Sequence, residues 1–503
     1  MPQATLMRRP IAPAVRLLAA SLGLVAAALP VLPASAAEVT IRQDLFDRAV
    51  KMKRLFPPRT LDGTEGIKVE DPESFTSLAA FPSGLADGGN PAVLRIEGEI
   101  VKGDAERVKQ ALEEGTNRPL VISFDSPGGV FAEAFRIAEV LRYDIESQDP
   151  RIAGLMVFAG DECLSACAIA FAASVDTAHP DTDTRFVENG GKLGFHMPYI
   201  PEGTDTTGTG ARQMLGLGYD VAGEMVSLLQ QSANPPELLL RMLKHRTASS
   251  FYVLSGDLET WRMSFSPVAA PEAVSEIGLA GLDTIAVGHL CNLVLKAGPV
   301  QMSAAQDEFC DFQLGATYSP DESGGKLLSD LLKGGTRSLN ATCGWFTCQV
   351  RTDEEGRVGV SVWRGSEGCK EMEDPFPSDM CPMPAAGVDT VSNFLLAEAY
   401  SCRDGAVLPD TFTADSPARI KRDVYLRDAP GRSGQVVTTL LSGNEVEVTA
   451  CRTTSDDQGV WYQVGRAGQQ GWVSARFVGG HAERFGTRAG RFAITPANQG
   501  VAE

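Results

Sequence analysis

Between Ala92 and Ala173, apolar runs alternate with amphipathic stretches, and no other feature limits the fold as sharply. Val93, Leu94 and Ile96 predict a strand that Gly98 ends. Gly103 to Glu114 puts Val108 and Leu112 on one helical face. Leu120-Val121-Ile122-Ser123-Phe124 is a nearly unbroken apolar strand, the kind covered on both faces. Val130 to Arg142 predicts a helix that buries Phe131, Ile137, Val140 and Leu141, and Ile152 to Phe158 is the next strand. Arg185 to Val187 and Leu193 to Phe195 predict short strands. Helices are expected from Gln213 to Gln231 and from Pro235 to His245, then a closing strand and helix at Phe251 to Leu254 and Leu258 to Met263. A chain that alternates in this way folds as an α/β domain, here over 92–287.

The 503 residues exceed one ordinary core. Arg8, Arg9 and Arg16 precede an apolar, Ala-rich run from Leu17 to Leu32, and Ala34-Ser35-Ala36 is a small-x-small site. Residues 1–36 therefore predict a secretory signal peptide cut after Ala36, and a periplasmic or secreted chain. The net charge of −19 argues against nucleic acid and anionic membrane surfaces as partners. All ten cysteines follow the signal, and an even number in an exported protein favours disulfides over metal. Residues 37–91 predict an arm or cover with a helix from Asp44 to Leu55. Residues 288–410 hold seven of the cysteines, from Cys291 to Cys402, and predict a small disulfide-stapled module. Its Cys343-x4-Cys348 spacing is not a zinc pattern, and 291–402 lacks histidine. The short runs in 418–479 predict a small all-β barrel. Residues 480–503 predict a disordered tail.

Three separated pieces carry the chemistry. Asp125-Ser126-Pro127-Gly128-Gly129 is a tight loop after a buried strand. Cys163-Leu164-Ser165-Ala166-Cys167 reads as a sharp turn from strand into helix, with Ser165 at the helix start. There Ser165 is either a helix N-cap or a nucleophile beside free amides. His196 follows a strand end. Cys163 and Cys167 could staple the turn if Cys163 precedes the helix, whereas inside a regular helix their spacing suits a bridge poorly. A metal site of Cys163, Cys167 and His196 is an alternative.

In this order and spacing, the three pieces resemble the Clp protease proteolytic subunit of the crotonase-like superfamily, over about 92–285. The resemblance implies a domain of repeated β-β-α units. It also implies Ser165 as nucleophile, His196 as general base, and the backbone N–H groups of Gly129 and Ala166 as an oxyanion hole. Secreted, stand-alone relatives look similar, so the expected activity is ATP-independent serine-type hydrolysis of peptides or unfolded chains, with no cofactor or metal. A homo-oligomer is left open. The family's aspartate is missing where the motif places it, since 245–251 contain no carboxylate. Asp220, Glu224, Asp257 and the hydroxyl of Ser249 are the substitutes to consider, and a backbone carbonyl is another. A dead site, in a non-catalytic envelope or wall-binding protein, is the competing expectation. The runs Val424 to Pro430, Leu441 to Val448, Trp461 to Val464 and Gly471-Trp472-Val473 resemble a bacterial SH3-like domain. That implies binding of cell-wall or envelope peptides, against the alternative of a folding cap with no ligand.

Overall fold

The computed structural model describes residues 36–56, 80–81, 85, 91–274 with short breaks, 290–291, 293, four strands between 338 and 388, and 391–480 with short breaks. The expected signal peptide, apart from Ala36, most of the expected cysteine module and the expected tail lie outside the described residues. The chain divides into two compact units, residues 1–50 with 83–259, and residues 51–82 with 260–503.

The first unit contains β1 (Glu38–Arg42), α1 (Gln43–Ala49), β3 (Ala92–Glu97), α2 (Asp104–Glu114), β4 (Leu120–Asp125) and α3 (Phe131–Ile145). Then come β5 (Ile152–Val157), β6 (Glu162–Leu164), α4 (Ala166–Ala173), β7 (Arg185–Glu188) and β8 (Lys192–Phe195). Helices α5 (Ala211–Gln231) and α6 (Pro236–Met242), strand β9 (Tyr252–Leu254) and the start of α7 (Leu258–Arg262) end it. The order β1-β3-β4-β5-β7 forms its main sheet, parallel from β3 to β7 with β1 antiparallel at one side. Residues 120–124 and 154–158 are buried, as continuous apolar runs under covering helices require.

Each of β3, β4, β5 and β7 is followed by a shorter extended piece that leaves the main sheet, and then by a helix. The extended pieces are Ile100, Ser126 to Gly129, β6 and β8. Ile100 bridges Gly129 and Ser126 bridges Cys163, both in parallel. Strand β6 pairs with β8 in parallel, and β8 pairs with β9. A second, smaller layer thus gathers the loops that leave the carboxyl ends of the main strands, where open α/β sheets place ligands.

Arg95 ties these ends together. It is 8% exposed and reaches Asp161 at 2.7 Å, Asp125 at 2.7 Å and Glu97 at 2.9 Å. Asp125 also accepts the Glu162 amide at 3.1 Å. Three carboxylates hold the guanidinium firmly protonated, Asp161 chiefly, against the opposing effect of its burial.

In the second unit, β2 (Lys53–Arg54) pairs antiparallel with β10 (Ser266–Ala269). Strands β11 (Ser338–Cys343), β12 (Phe346–Thr352), β13 (Val358–Arg364) and β14 (Ala386–Val388) make an antiparallel meander. Helix α8 (Asn393–Ala399) is N-capped by Ser392, whose Oγ accepts the Leu395 amide at 3.1 Å. Next come β15 (Cys402–Arg403), β16 (Ala406–Val407) and β17 (Arg419–Ile420). The barrel follows with β18 (Val424–Arg427), β19 (Val436–Leu440), β20 (Glu447–Thr453), β21 (Val460–Arg466) and β22 (Gln469–Ser474), in the order β19-β18-β22-β21-β20. Its ends close as β17 pairs with β23 (Val478–Gly479). Cys402 of the cysteine-rich stretch bonds to Cys451 on β20, so this cysteine staples the barrel rather than the module expected from its position.

Candidate functional site

Ser165 sits between β6 and α4 with φ 57° and ψ −122°, a backbone conformation that residues with a Cβ rarely adopt. Three local constraints hold it there. The Ser165 amide donates to the Gly194 carbonyl on β8 at 2.8 Å. Its carbonyl accepts from Ile169 in the first turn of α4 at 3.3 Å. A disulfide joins Cys163 on β6 to Cys167 on α4 across the turn. Because Cys163 precedes the helix, the bridge spans a bend and avoids the unsuitable geometry of a continuous helix. The same bond consumes both thiolates, which corrects the metal alternative of Cys163, Cys167 and His196.

The Ser165 side chain does not cap its helix. Its Oγ lies 2.7 Å from Nε2 of His196. The other ring nitrogen, Nδ1, lies 2.8 Å from the carbonyl oxygen of Met197. A carbonyl can only accept, so Nδ1 carries the proton and Nε2 is the acceptor for the serine hydroxyl. This is the neutral tautomer that can take a proton from Ser165. His196 is 6% exposed and packs edge-on against Phe251 at 4.9 Å. Burial lowers its proton affinity, the Met197 carbonyl raises it, and His245 nearby lowers it further.

Neither ring nitrogen of His196 hydrogen-bonds Asp220, Glu224, Asp257 or Ser249, because Nε2 faces Ser165 and Nδ1 faces Met197. The carbonyl alternative is the one realised. Met197 is itself anchored, its amide donating to the His245 carbonyl at 2.9 Å. His245 in turn places Nδ1 2.7 Å from Ser250 Oγ.

Gly128 and Gly129 bring the loop after β4 against the serine. Gly128 has φ 104°, and a Cβ there would lie 2.6 Å from the Ser165 Cβ and 2.7 Å from the Leu164 carbonyl. Gly129 has φ 139°, and its Cβ would meet the Ile100 carbonyl oxygen at 2.1 Å. Only glycine fits either position. Ile100 donates to Gly128 and accepts from Val130, so the Gly129 amide between them faces the other way. Ala166 opens α4, where the amide has no intrahelical acceptor. The Cβ position at Gly128 is 3.1 Å from the Ala166 nitrogen, which puts loop and helix start side by side at Ser165. Sequence reasoning missed Arg95, Met197 and strand β6 in this site. An arginine inside the apolar run of β3 was the available signal for the first. A backbone carbonyl has none.

The barrel is settled by comparison with known proteins. Residues 422–479 match the family model of the bacterial SH3 domain. The match covers β18 to β23 and leaves the α/β unit outside it. No curated protein matches the chain. Among the described residues, no helix is long and apolar enough to cross a membrane.

Proposed function

We propose that the chain is an exported serine hydrolase of Clp-like type, acting without ATP on peptides or unfolded chains in the cell envelope. The observation that carries this reading is the Ser165–His196 hydrogen bond of 2.7 Å, with the imidazole held in the proton-accepting tautomer. An unactivated serine is a weak nucleophile and needs such a base. Ser165 Oγ attacks the substrate carbonyl while His196 Nε2 takes the hydroxyl proton. The amides of Gly129 and Ala166 stabilise the oxyanion. His196 then gives the proton to the leaving amine, and water releases the acyl group from Ser165 by the reverse use of the same base. The strand–short strand–helix repeat supports the crotonase-like comparison. Disulfides at Cys163–Cys167 and Cys402–Cys451 support an oxidising compartment. The SH3 domain supports attachment to wall or envelope peptides.

A fluorophosphonate probe tests the reading. It should label Ser165 in the folded protein and should fail to label Ser165→Ala. A folded wild-type chain that resists the probe would remove the hydrolase assignment.

One observation favours a second reading. His196 leans on a carbonyl dipole where a carboxylate would stabilise the imidazolium, a substitution expected to slow turnover by orders of magnitude. On this reading the α/β unit is a non-catalytic scaffold and the SH3 domain carries the function. Full cellular function of Ser165→Ala would favour it.

A further inference from the structure

The chain is strongly acidic, with a net charge of −19, yet one cavity in the SH3 domain has the opposite character. It measures about 580 Å³, and Arg422, Arg427, Arg432 and Arg476 contribute to its wall. Asp423 is the acid among its lining residues, and its carboxylate accepts the Ser442 amide at 2.8 Å. Arg422 and Arg476 stack on Phe477, at 4.4 and 4.7 Å from the ring centroid. Arg427 donates to the Gly434 carbonyl at 2.6 Å and lies 5.9 Å from the Tyr425 ring. Rings and a carbonyl hold the guanidiniums of Arg422 and Arg427 without a carboxylate among the described residues. Their charge is therefore available to a ligand, in the fork geometry that suits carboxylates and phosphates.

Trp461 on β21 and Ser474 on β22 both line the cavity, at 4% and 1% exposure. The Trp461 Nε1 and the Ser474 Oγ are buried and have no hydrogen-bond partner. The two residues are directly paired across β21 and β22.

We propose that this cavity binds the carboxylate of an acidic peptide, with Arg422 and Arg427 neutralising its charge. The peptide class rests on the SH3 reading of wall or envelope binding. The carboxylate rests on the cavity itself.

The test uses the full mature chain and three probes in isothermal titration: acetyl-hexaglutamate amide, the corresponding hexaglutamine, and hexametaphosphate. Hexaglutamate should bind, hexaglutamine should not, and 0.5 M salt should weaken binding. Arg422→Gln with Arg427→Gln should cost about tenfold or more in affinity, the scale of lost charge-assisted bonds. Equal affinity for hexaglutamine, or no response to the arginine substitutions, would overturn the proposal. So would hexametaphosphate that hexaglutamate cannot displace, which would make the ligand a phosphate. Retention on purified peptidoglycan sacculi is read in parallel. A chain that binds hexaglutamate but not sacculi upholds the pocket and removes the wall assignment. Sacculus binding untouched by the arginine substitutions, with no hexaglutamate affinity, removes the pocket alone.

Discussion

Cys163 and Cys167 close a covalent bridge over the turn whose apex is Ser165, with Cα atoms 5.1 Å apart. The bridge, the Gly194 carbonyl and the first turn of α4 together keep a non-glycine residue at positive φ. Such a residue stores about 1–3 kcal/mol that its surroundings must hold in place. Removing the bridge by Cys163→Ser with Cys167→Ser should cost about 2 kcal/mol in urea unfolding, the scale for a short closed loop. Fluorophosphonate labelling should slow under conditions where circular dichroism still reports a folded chain. Unchanged labelling would mean that the hydrogen bonds alone hold the turn.

The backbone strain at Ser165 gives a test that does not involve chemistry. Ser165→Gly should be more stable than Ser165→Ala by about 1 kcal/mol, because glycine adopts positive φ without a Cβ penalty. Urea midpoints of the two variants measure this directly, and both should be inert to the probe. An alanine variant as stable as the glycine one would show the turn to be relaxed.

The labelling rate should follow the ionisation of His196. Its proton affinity is lowered by burial first, with the Met197 carbonyl opposing and His245 assisting. The neutral form is the base, so the acid limb of a labelling-rate profile should have its midpoint below the ordinary value of 6.5. The sign for stability follows from the same shift. An unfolded chain takes up this proton first as pH falls. The contribution of His196 to stability is therefore complete above 6.5 and is lost between 6.5 and the lower folded value. A midpoint above 6.5 would require a negative group at Nδ1 in place of the carbonyl.

Gly128→Ala should abolish labelling. Its Cβ would lie 2.6 Å from that of Ser165, and neither backbone can retreat without breaking the pairing of Ser126 with Cys163. A loss of about 1 kcal/mol or more in stability should accompany it, from positive φ alone. Labelling at the wild-type rate would show that the loop moves freely against the serine.

Arg95→Met should cost about 2 kcal/mol, below the scale for a fully buried pair because Asp125 and Asp161 are partly exposed. Asp161 precedes β6, and Asp125 both ends β4 and holds the Glu162 amide. Their separation should reach Ser165, so probe reactivity should fall along with the urea midpoint.

The main α/β elements were legible because their signals are local. The apolar run of Leu120 to Phe124 and the helical face of Val108 and Leu112 require no knowledge of what packs on them. The helix expected from Asp44 to Leu55 ends earlier, at Ala49. The preceding five residues form β1, which gains its order from pairing along β3. Strand β6 has three residues and follows a glycine turn. It exists because β8 and Ser126 lie on either side of it, and both come from distant sequence. In the site, Ser165, His196 and the paired glycines could be read from residue type and spacing. The partner of Nδ1 could not, because every residue has a carbonyl and only the fold selects that of Met197. The pairing of Cys402 with Cys451 was hidden for a related reason, since composition assigns Cys402 to the cysteines that precede it.

The Cys402–Cys451 bond also changes what a protease can release. Its loop encloses the approach to the barrel together with β17, β18 and β19. A single backbone cut anywhere inside it leaves the two fragments joined through sulfur. Under oxidising conditions a molecule nicked inside this loop therefore keeps its SH3 domain attached, and separating the two fragments requires a reductant as well as a protease.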